Sequence, residues 1–168
     1  MRTRAIGLSL VAAAVAVVLQ TTFFAQVRIF EVAPDLVMLT VIAAARRLDA
    51  EPAVLLGFTS GIAMDLLGSS PLGLRALVLT LVAYSTVRTR DRFDINVVAT
   101  GSAVLLLSLL GVVLIVVIGT LFGEASFRDP NVFRKIVLIP VYNLALAIGI
   151  LPLVTLVLGD RRRRESLL

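Results

Sequence analysis

Residues 95–123, INVVATGSAVLLLSLLGVVLIVVIGTLFG, form an uncharged stretch that is long enough to cross a lipid bilayer. Residues 5–27 and 136–159 form two more stretches of this kind, and charged residues bound all three. A helix needs about 20 apolar residues to span a hydrocarbon core of about 30 Å. Because no water is there to bond the backbone, a lone spanning segment must pair its own N–H and C=O groups as a helix. The three stretches therefore predict transmembrane helices.

The composition agrees with a membrane protein and argues against an enzyme. Of the 168 residues, 59% are hydrophobic and the mean hydropathy is +1.03, whereas soluble domains have about 45–50% apolar residues. Cysteine and histidine are both absent, which excludes thiol nucleophiles, disulfides and imidazole ligands. We expect no catalytic residues, no metal and no cofactor. No long linker divides the chain, so residues 1–168 are predicted to form one domain.

Three prolines organise the middle of the chain, where charged residues interrupt the apolar sequence. Pro34, Pro52 and Pro71 each precede an apolar run, and proline suits the first helical position because no N–H is needed there. Three shorter helices are therefore expected between the long ones. The predicted fold is an all-α integral membrane protein, a compact bundle of about six transmembrane helices. Their predicted ranges are 5–26, 34–47, 52–68, 71–88, 95–123 and 136–159.

The basic residues predict the orientation, because cytoplasmic loops of membrane proteins collect Lys and Arg. With six crossings, eleven of the sixteen basic residues fall on one side and five on the other. Both termini are therefore predicted to be cytoplasmic. The larger set ends in a run beside the last helix: Arg161, Arg162, Arg163 and Arg164. Because this run adjoins a membrane-spanning end, we interpret it as a topology anchor that contacts anionic lipid, and we expect no binding to nucleic acid.

Residues 57–75, GFTSGIAMDLLGSSPLGLR, have the pattern of a helical hairpin. Gly57 and Gly61 give a small-xxx-small face that lets a second helix approach closely. Asp65 places a carboxylate within an apolar helix, where a charge rarely occurs without a partner. Arg75 stands one turn into the returning helix, so we predict an ion pair between Asp65 and Arg75. The sequence leaves open whether this pair only holds the hairpin or also forms a polar binding site.

Two other polar side chains have simpler explanations. Asp35 follows Pro34 and is expected to cap a helix at its positive end, within reach of interfacial water. Asn143 follows Pro140 in the last helix and is expected to hydrogen-bond across helices. Both residues are therefore predicted to support the bundle.

The order of these residues resembles that of a known family. Pro34-Asp35 opens a short helix, and Gly57-Phe58-x-x-Gly61-x-x-x-Asp65-Leu66, Leu72-Gly73-x-Arg75-x-Leu77, Ala83-Tyr84 and a polybasic tail follow. This order, with the length and helix arrangement, resembles the rod shape-determining protein MreD family. The resemblance implies structural or partner-binding roles for these residues: Gly57, Gly61, Asp65, Gly73, Arg75, Tyr84, Pro34 and Asp35.

The resemblance implies a non-catalytic scaffold in the bacterial inner membrane that helps to control cell shape and peptidoglycan synthesis. Its expected direct partner is the bitopic protein MreC, and through it MreB, RodZ, RodA and the transpeptidase partner of RodA. Glycine-rich and apolar helix faces would dock the transmembrane helix of MreC, and the outward loop 124–135 would contact its periplasmic part. Five arginines are expected to face cytoplasmic lipid or MreB: Arg46, Arg47, Arg88, Arg90 and Arg92.

Other interpretations stay open. The family also resembles the substrate-binding subunits of energy-coupling-factor vitamin transporters in helix arrangement, which implies a small-ligand-binding subunit as an alternative function. Such a subunit needs a pocket with convergent polar or aromatic groups, and this chain has no Trp, no His and only two Tyr. A carrier that moves protons or ions through Asp65 is a third function, although a relay normally needs further acidic or histidine groups. A homodimer through Gly57 and Gly61 is a further interpretation.

Overall fold

The structure, a computed structural model, describes residues 2–24, 26, 31–68, 70–93, 96–124 and 129–158. Within these residues the chain forms six α-helices: α1 (Arg2–Thr22), α2 (Leu36–Ala45), α3 (Ala50–Leu67), α4 (Leu74–Phe93), α5 (Val97–Leu121) and α6 (Val132–Leu158). This confirms the all-α class and the six predicted helices. Their ends differ from the predicted ranges by a few residues, because α2 is shorter than expected and α4 and α6 are longer.

The three prolines mark helix starts, but none occupies the first helical position. Pro34 precedes Asp35, which is the N-cap of α2, and Pro71 lies in the turn before α4. Pro52 is the third residue of α3. The first N–H groups of a helix have no partner within it, so a residue without an N–H is tolerated in this region.

In the part of the chain that the structure describes, four helices are long and apolar enough to cross a membrane: Arg4–Thr22 within α1, and α3, α5 and α6. α2 has ten residues and rises about 15 Å, which is half of a hydrocarbon core. α4 is longer but carries Arg88, Arg90 and Arg92 near its end. The described residues thus hold six helices, of which four meet the length and hydropathy of a membrane span, and the predicted number of about six crossings stays a prediction.

Successive helices run in opposite directions, so the bundle has two ends. One end holds the starts of α1, α3 and α5, and there Arg46 donates to Thr100 Oγ1 at 2.8 Å. The opposite end holds the starts of α2, α4 and α6, and there the Gln20 amide donates to the carbonyl of Pro34 at 3.0 Å. We name these the inner and the outer end, after the orientation that the basic residues predict.

α2 is the centre of the bundle, and it contacts each of the other five helices. All ten of its residues are buried. Met38, Leu39 and Ile42 pack with Val78 of α4 and Val104 of α5 in one apolar cluster. A bilayer provides little hydrophobic driving force between helices, so this packing depends on close van der Waals contact.

The small-xxx-small face of α3 is used within the chain. A methyl group on Gly57 would lie 2.5 Å from the carbonyl oxygen of Leu79, and one on Gly61 would overlap backbone atoms of Ala76. α4 therefore packs directly against this face. The expectation that Gly57 and Gly61 dock a partner or a second copy is corrected, because α4 already covers them.

Arg90 and Arg46 are buried at the inner end, which corrects the expectation that they face lipid or a cytoplasmic partner. Arg90 Nη1 donates to the carbonyl oxygens of Ala45, at 3.2 Å, and of Leu48. These carbonyls lie at the end of α2, where a cation is favoured by the helix dipole and by the lack of intrahelical partners. A helix that ends inside a membrane bundle needs such a partner. The predicted anchor at 161–164 lies outside the described residues.

Candidate functional site at the outer end

The start of α2 lies deep in the bundle, level with the middle of α6. Asn143 Oδ1 accepts the backbone N–H of Asp35 at 3.0 Å, and Asn143 Nδ2 donates to Ser108 Oγ of α5 at 3.1 Å. Asn143 is 0% exposed and lies about 16 Å along α6 from its first residue, Val132. This confirms the predicted hydrogen bond across helices. Since Ser108 and Asn143 lie level with the start of α2, α5 and α6 extend well beyond that level toward the outer end.

Two further side chains complete the pairing at the start of α2. Gln20 Oε1 of α1 accepts the N–H of Leu36 at 2.7 Å, while its Nε2 donates to the Pro34 carbonyl. Asp35 Oδ1 accepts the N–H of Met38 at 2.9 Å, which confirms the predicted cap. An unpaired backbone N–H away from water is costly, so these side chains permit a helix to begin inside the bundle.

Asp35 forms an ion pair with Arg75, and this changes the predicted pairing. Arg75 Nη1 lies 3.7 Å from Asp35 Oδ2, with side-chain exposures of 30% and 12%. We expected Asp35 to reach interfacial water, but it is buried between helices. The predicted side-chain pair between Arg75 and Asp65 is wrong, because the guanidinium of Arg75 pairs with Asp35 on α2.

Asp65, at the end of α3, caps the start of α4. Its Oδ1 accepts the N–H of Arg75 at 3.1 Å and the hydroxyl of Ser70 at 3.2 Å. Its Oδ2 accepts the N–H groups of Gly73 at 2.9 Å and Ala76 at 3.2 Å. The carboxylate is thus placed at the positive end of the α4 dipole, which stabilises it although the residue is only 3% exposed.

Gly73 supplies the turn that makes this cap possible. Its φ of +93° is in the left-handed region, which residues with a Cβ rarely adopt. The turn directs the first N–H groups of α4 back toward Asp65. A sequence signal for this cap was available, since Asp65 precedes a Gly-Ser-Ser-Pro turn and the start of a helix, but we assigned the carboxylate to the nearest cation.

The side chains around the start of α2 form the floor of a cavity of about 370 Å³ that opens at the outer end. Its floor is polar, its walls are apolar and its rim is charged. The floor is Gln20, Asp35 and Arg75. The walls include Phe24, Met64, Val112, Ile115, Val116 and Ile139. The rim carries Glu31 and Lys135. We call this cavity the outer vestibule.

The charges at the rim of the outer vestibule are paired. Glu31 lies 3.5 Å from Arg134 Nη1 and accepts a hydrogen bond from Asn131 Nδ2 at 3.1 Å. Lys135 pairs with Asp129. The hydrogen bond from Lys135, followed by that from the Asn131 backbone N–H, holds the pKa of Asp129 below its ordinary value of 3.8. With the Asp35 pair on the floor, the described charges of the outer vestibule comprise three positive and three negative side chains, each paired with an opposite charge.

The remaining predicted site residues lie apart from the outer vestibule. Gly57 and Gly61 support the hairpin, and Tyr84 projects outward from α4 with about half of its surface exposed. Of the predicted outward loop 124–135, residues 125–128 lie outside the described residues and Val132 already begins α6. We had not singled out Gln20, although an amide near the end of an otherwise apolar helix was a visible signal.

The arrangement is suited to binding. Both buried carboxylates, Asp35 and Asp65, accept backbone N–H groups that begin a helix. Within the described part of the chain, no group of three or more Asp and Glu side chains is placed to hold a metal ion. The outer vestibule offers an apolar wall and a balanced polar floor, which fit an amphiphilic segment of another molecule.

Comparison with known proteins identifies the family. The family model described as rod shape-determining protein MreD matches residues 1–159. No curated protein and no solved structure matches the chain, so the likeness to subunits of energy-coupling-factor transporters stays a prediction. The family match extends across every helix of the bundle. The chain therefore belongs to the MreD family of rod shape-determining proteins.

Proposed function

We propose that this protein is a non-catalytic scaffold of the bacterial elongation complex, and that it acts by binding MreC. Family membership places it in rod shape determination, and its apolar helices make it a multi-pass membrane protein. One observation supports a binding role above others. The buried carboxylates Asp35 and Asp65 hold helix starts in place, and by doing so they shape the outer vestibule.

The outer vestibule is the proposed receptor for the segment of MreC that leaves the membrane. α5 and α6 continue about 16–20 Å beyond the level of Ser108 and Asn143, and they form a wall above the start of α2. With both termini in the cytoplasm, as proposed from the charges, this end faces the periplasm. A membrane-proximal segment is partly apolar and partly polar, which matches the apolar wall and polar floor.

The exposed side of α4 is the proposed contact for the transmembrane helix of MreC. Leu77, Leu81 and Tyr84 are exposed and recur at i, i+4 and i+7, so they lie on one face of α4. Two of them, Leu77 and Tyr84, belong to the pattern that resembles the family, yet they have no role inside the bundle. This face replaces the Gly57 and Gly61 face as the docking surface.

Other partners follow from the same proposal. MreB, RodZ, RodA and its transpeptidase partner are reached through MreC, and the complex thereby influences peptidoglycan synthesis. Arg46 and Arg90 are not proposed as MreB contacts, because they are buried. The basic run at 161–164 is proposed to contact anionic lipid at the cytoplasmic surface.

Co-purification with MreC from the same genome tests the outer vestibule. Ile115→Trp would fill part of the cavity, whereas Val117→Trp on the same helix projects outward and is the matched control. We expect MreC to co-elute with the wild type and with Val117→Trp but not with Ile115→Trp. Co-elution at the wild-type level with a monodisperse Ile115→Trp protein would overturn the proposed receptor site.

Cysteine crosslinking tests the α4 contact, and the chain is well suited because it has no cysteine. Leu81→Cys should form a disulfide with a cysteine scanned along the transmembrane helix of MreC. Ile148→Cys, exposed on α6, is the control and should not. Equal crosslinking at both positions would show that the α4 face is not the docking surface.

A further inference from the structure

A second cavity lies at the inner end, between α1 and α3. Its volume is about 530 Å³, which is within the usual range of about 300–1,000 Å³ for ligand sites. Ile6 and Leu10 of α1 and Leu55 and Leu56 of α3 supply apolar walls. Along α3 it extends from Glu51 to Thr59, about 12 Å from the helix start into the bundle. We call it the inner groove.

The deep part of the inner groove presents hydrocarbon. Two hydroxyls line it, but both bond to their own helices: Ser9 donates to the Ala5 carbonyl at 2.7 Å, and Thr59 donates to the Leu55 carbonyl at 2.9 Å. A polar ligand would therefore lose its bonds to water without replacement. An acyl chain has no such bonds to lose, so it fits these walls.

The mouth of the inner groove is charged with both signs. Arg47 lines the mouth together with Asp49 and Glu51, and Arg4 precedes the lining residue Ala5. Arg4 and Glu51 are exposed, so they are available to a headgroup at the membrane surface. Arg47 already donates to Thr155 Oγ1 at 3.1 Å, so the charges offered to a headgroup are those of Arg4 and Glu51. One cation and one carboxylate complement a headgroup that carries both charges, whereas a headgroup with only a negative charge would meet Glu51 without a cation to offer it.

We propose that the inner groove binds one phospholipid with a zwitterionic headgroup, of the phosphatidylethanolamine type. One acyl chain lies between α1 and α3, the phosphate faces Arg4, and the ammonium group faces Glu51. This lipid site is separate from the outer vestibule. It does not depend on MreC binding.

Native mass spectrometry of the full chain, released from nanodiscs of equal phosphatidylethanolamine and phosphatidylglycerol, tests the site. We expect one retained phosphatidylethanolamine on the wild type. Leu55→Trp should remove it by filling the inner groove, and Leu106→Trp on α5, which is similarly exposed but outside the groove, should keep it. Retention by Leu55→Trp, or loss in both variants, would overturn the proposal. The proposal would also be overturned if a protein chain co-purified with the wild type and Leu55→Trp released it, because a protein would then be the occupant of the inner groove.

The headgroup is tested separately with a variant that leaves the walls intact. Glu51→Gln should lower the ratio of retained phosphatidylethanolamine to phosphatidylglycerol about two- to fivefold, the loss expected for one solvent-exposed ion pair. Glu31→Gln at the outer end is the control and should leave the ratio unchanged. A wild type that retains phosphatidylglycerol in preference, or a Glu51→Gln ratio equal to the wild type, would contradict a zwitterionic site.

Discussion

The α3–α4 and α5–α6 hairpins pack two helices side by side by different means. In α3–α4 the backbones themselves touch, since a methyl group on Gly57 would meet the Leu79 carbonyl, and Asp65 ties one helix end to the next helix start. In α5–α6 the contact is made by side chains. A methyl group on Gly101 would lie 3.3 Å from Cδ1 of Leu144, and one on Gly149 would meet nothing within 4 Å.

This difference indicates where the molecule is rigid. A side chain can rotate away from an added methyl group, but a backbone atom in a packed helix cannot. The α3–α4 hairpin therefore has little tolerance for change, whereas α5 and α6 are longer, more apolar and more adaptable. The outer vestibule lies where the two kinds of packing meet, with its floor on the rigid side and its walls on the adaptable side.

The largest expected effect is that of Gly61→Leu. The new side chain would collide with the backbone of Ala76, so the hairpin must separate, at a cost of about 3 kcal/mol or more. We expect aggregation or a strongly lowered melting temperature in fluorescence-detected size-exclusion chromatography. Gly149→Leu on the exposed side of α6 is the control and should behave as the wild type. Equal stability of the two variants would contradict the contrast between the hairpins.

Asp65→Ala should have the next largest effect. It would remove the acceptor for the N–H groups of Gly73, Arg75 and Ala76. Only the bond from Ala76 is fully buried, and one buried orphan donor costs about 1–3 kcal/mol. Asp65→Asn keeps one acceptor oxygen and should lose less. Thermal unfolding of the two variants beside the wild type gives the order, and equal melting temperatures for all three would show that the cap contributes nothing.

The same residue shows how far the sequence could predict this site. Length and charge patterns were enough for the helices, the hairpin and the close approach at Gly57. They assigned Asp65 to the wrong donor, because the Arg75 guanidinium looked like the natural partner. The Gly-Ser-Ser-Pro turn after Asp65 indicated a nearby helix start, but whether its N–H groups reach the carboxylate depended on the left-handed turn at Gly73. A turn preceded by a buried carboxylate is the pattern to recognise.

The floor of the outer vestibule could not be predicted for a different reason. Gln20 and Asp35 of the floor meet because Asn143 of α6 binds the start of α2, which begins level with the middle of α6. Nothing local to those residues fixes that relative height. It follows from the ten-residue length of α2 and from its place at the centre of the bundle.

Asn143→Ala tests the contact between Asn143 and the start of α2. Its effect on stability should lie between those of Asp65→Ala and Asp129→Asn. It would leave the N–H of Asp35 without an acceptor, for a loss of about 1–3 kcal/mol. Ser108→Ala removes only the bond between two side chains, which in membrane proteins averages about 0.6 kcal/mol. Unfolding in a denaturing detergent titration measures both. A Ser108→Ala loss as large as that of Asn143→Ala would show that the backbone pairing is not the main contribution.

The smallest effect concerns the rim, where the Asp129 and Lys135 pair joins the loop to the start of α6. Because its folded pKa is lowered below 3.8, Asp129 stabilises the fold fully above that value and loses this contribution as the pH falls through the folded pKa. The pair is partly exposed, so the change should be small. We expect the melting temperatures of wild type and Asp129→Asn to differ slightly at pH 6 and to converge as the pH falls from 3.8 through the lower folded pKa. A difference that persists below the folded pKa, where Asp129 is protonated, would show that the charge of Asp129 is not the source of its contribution.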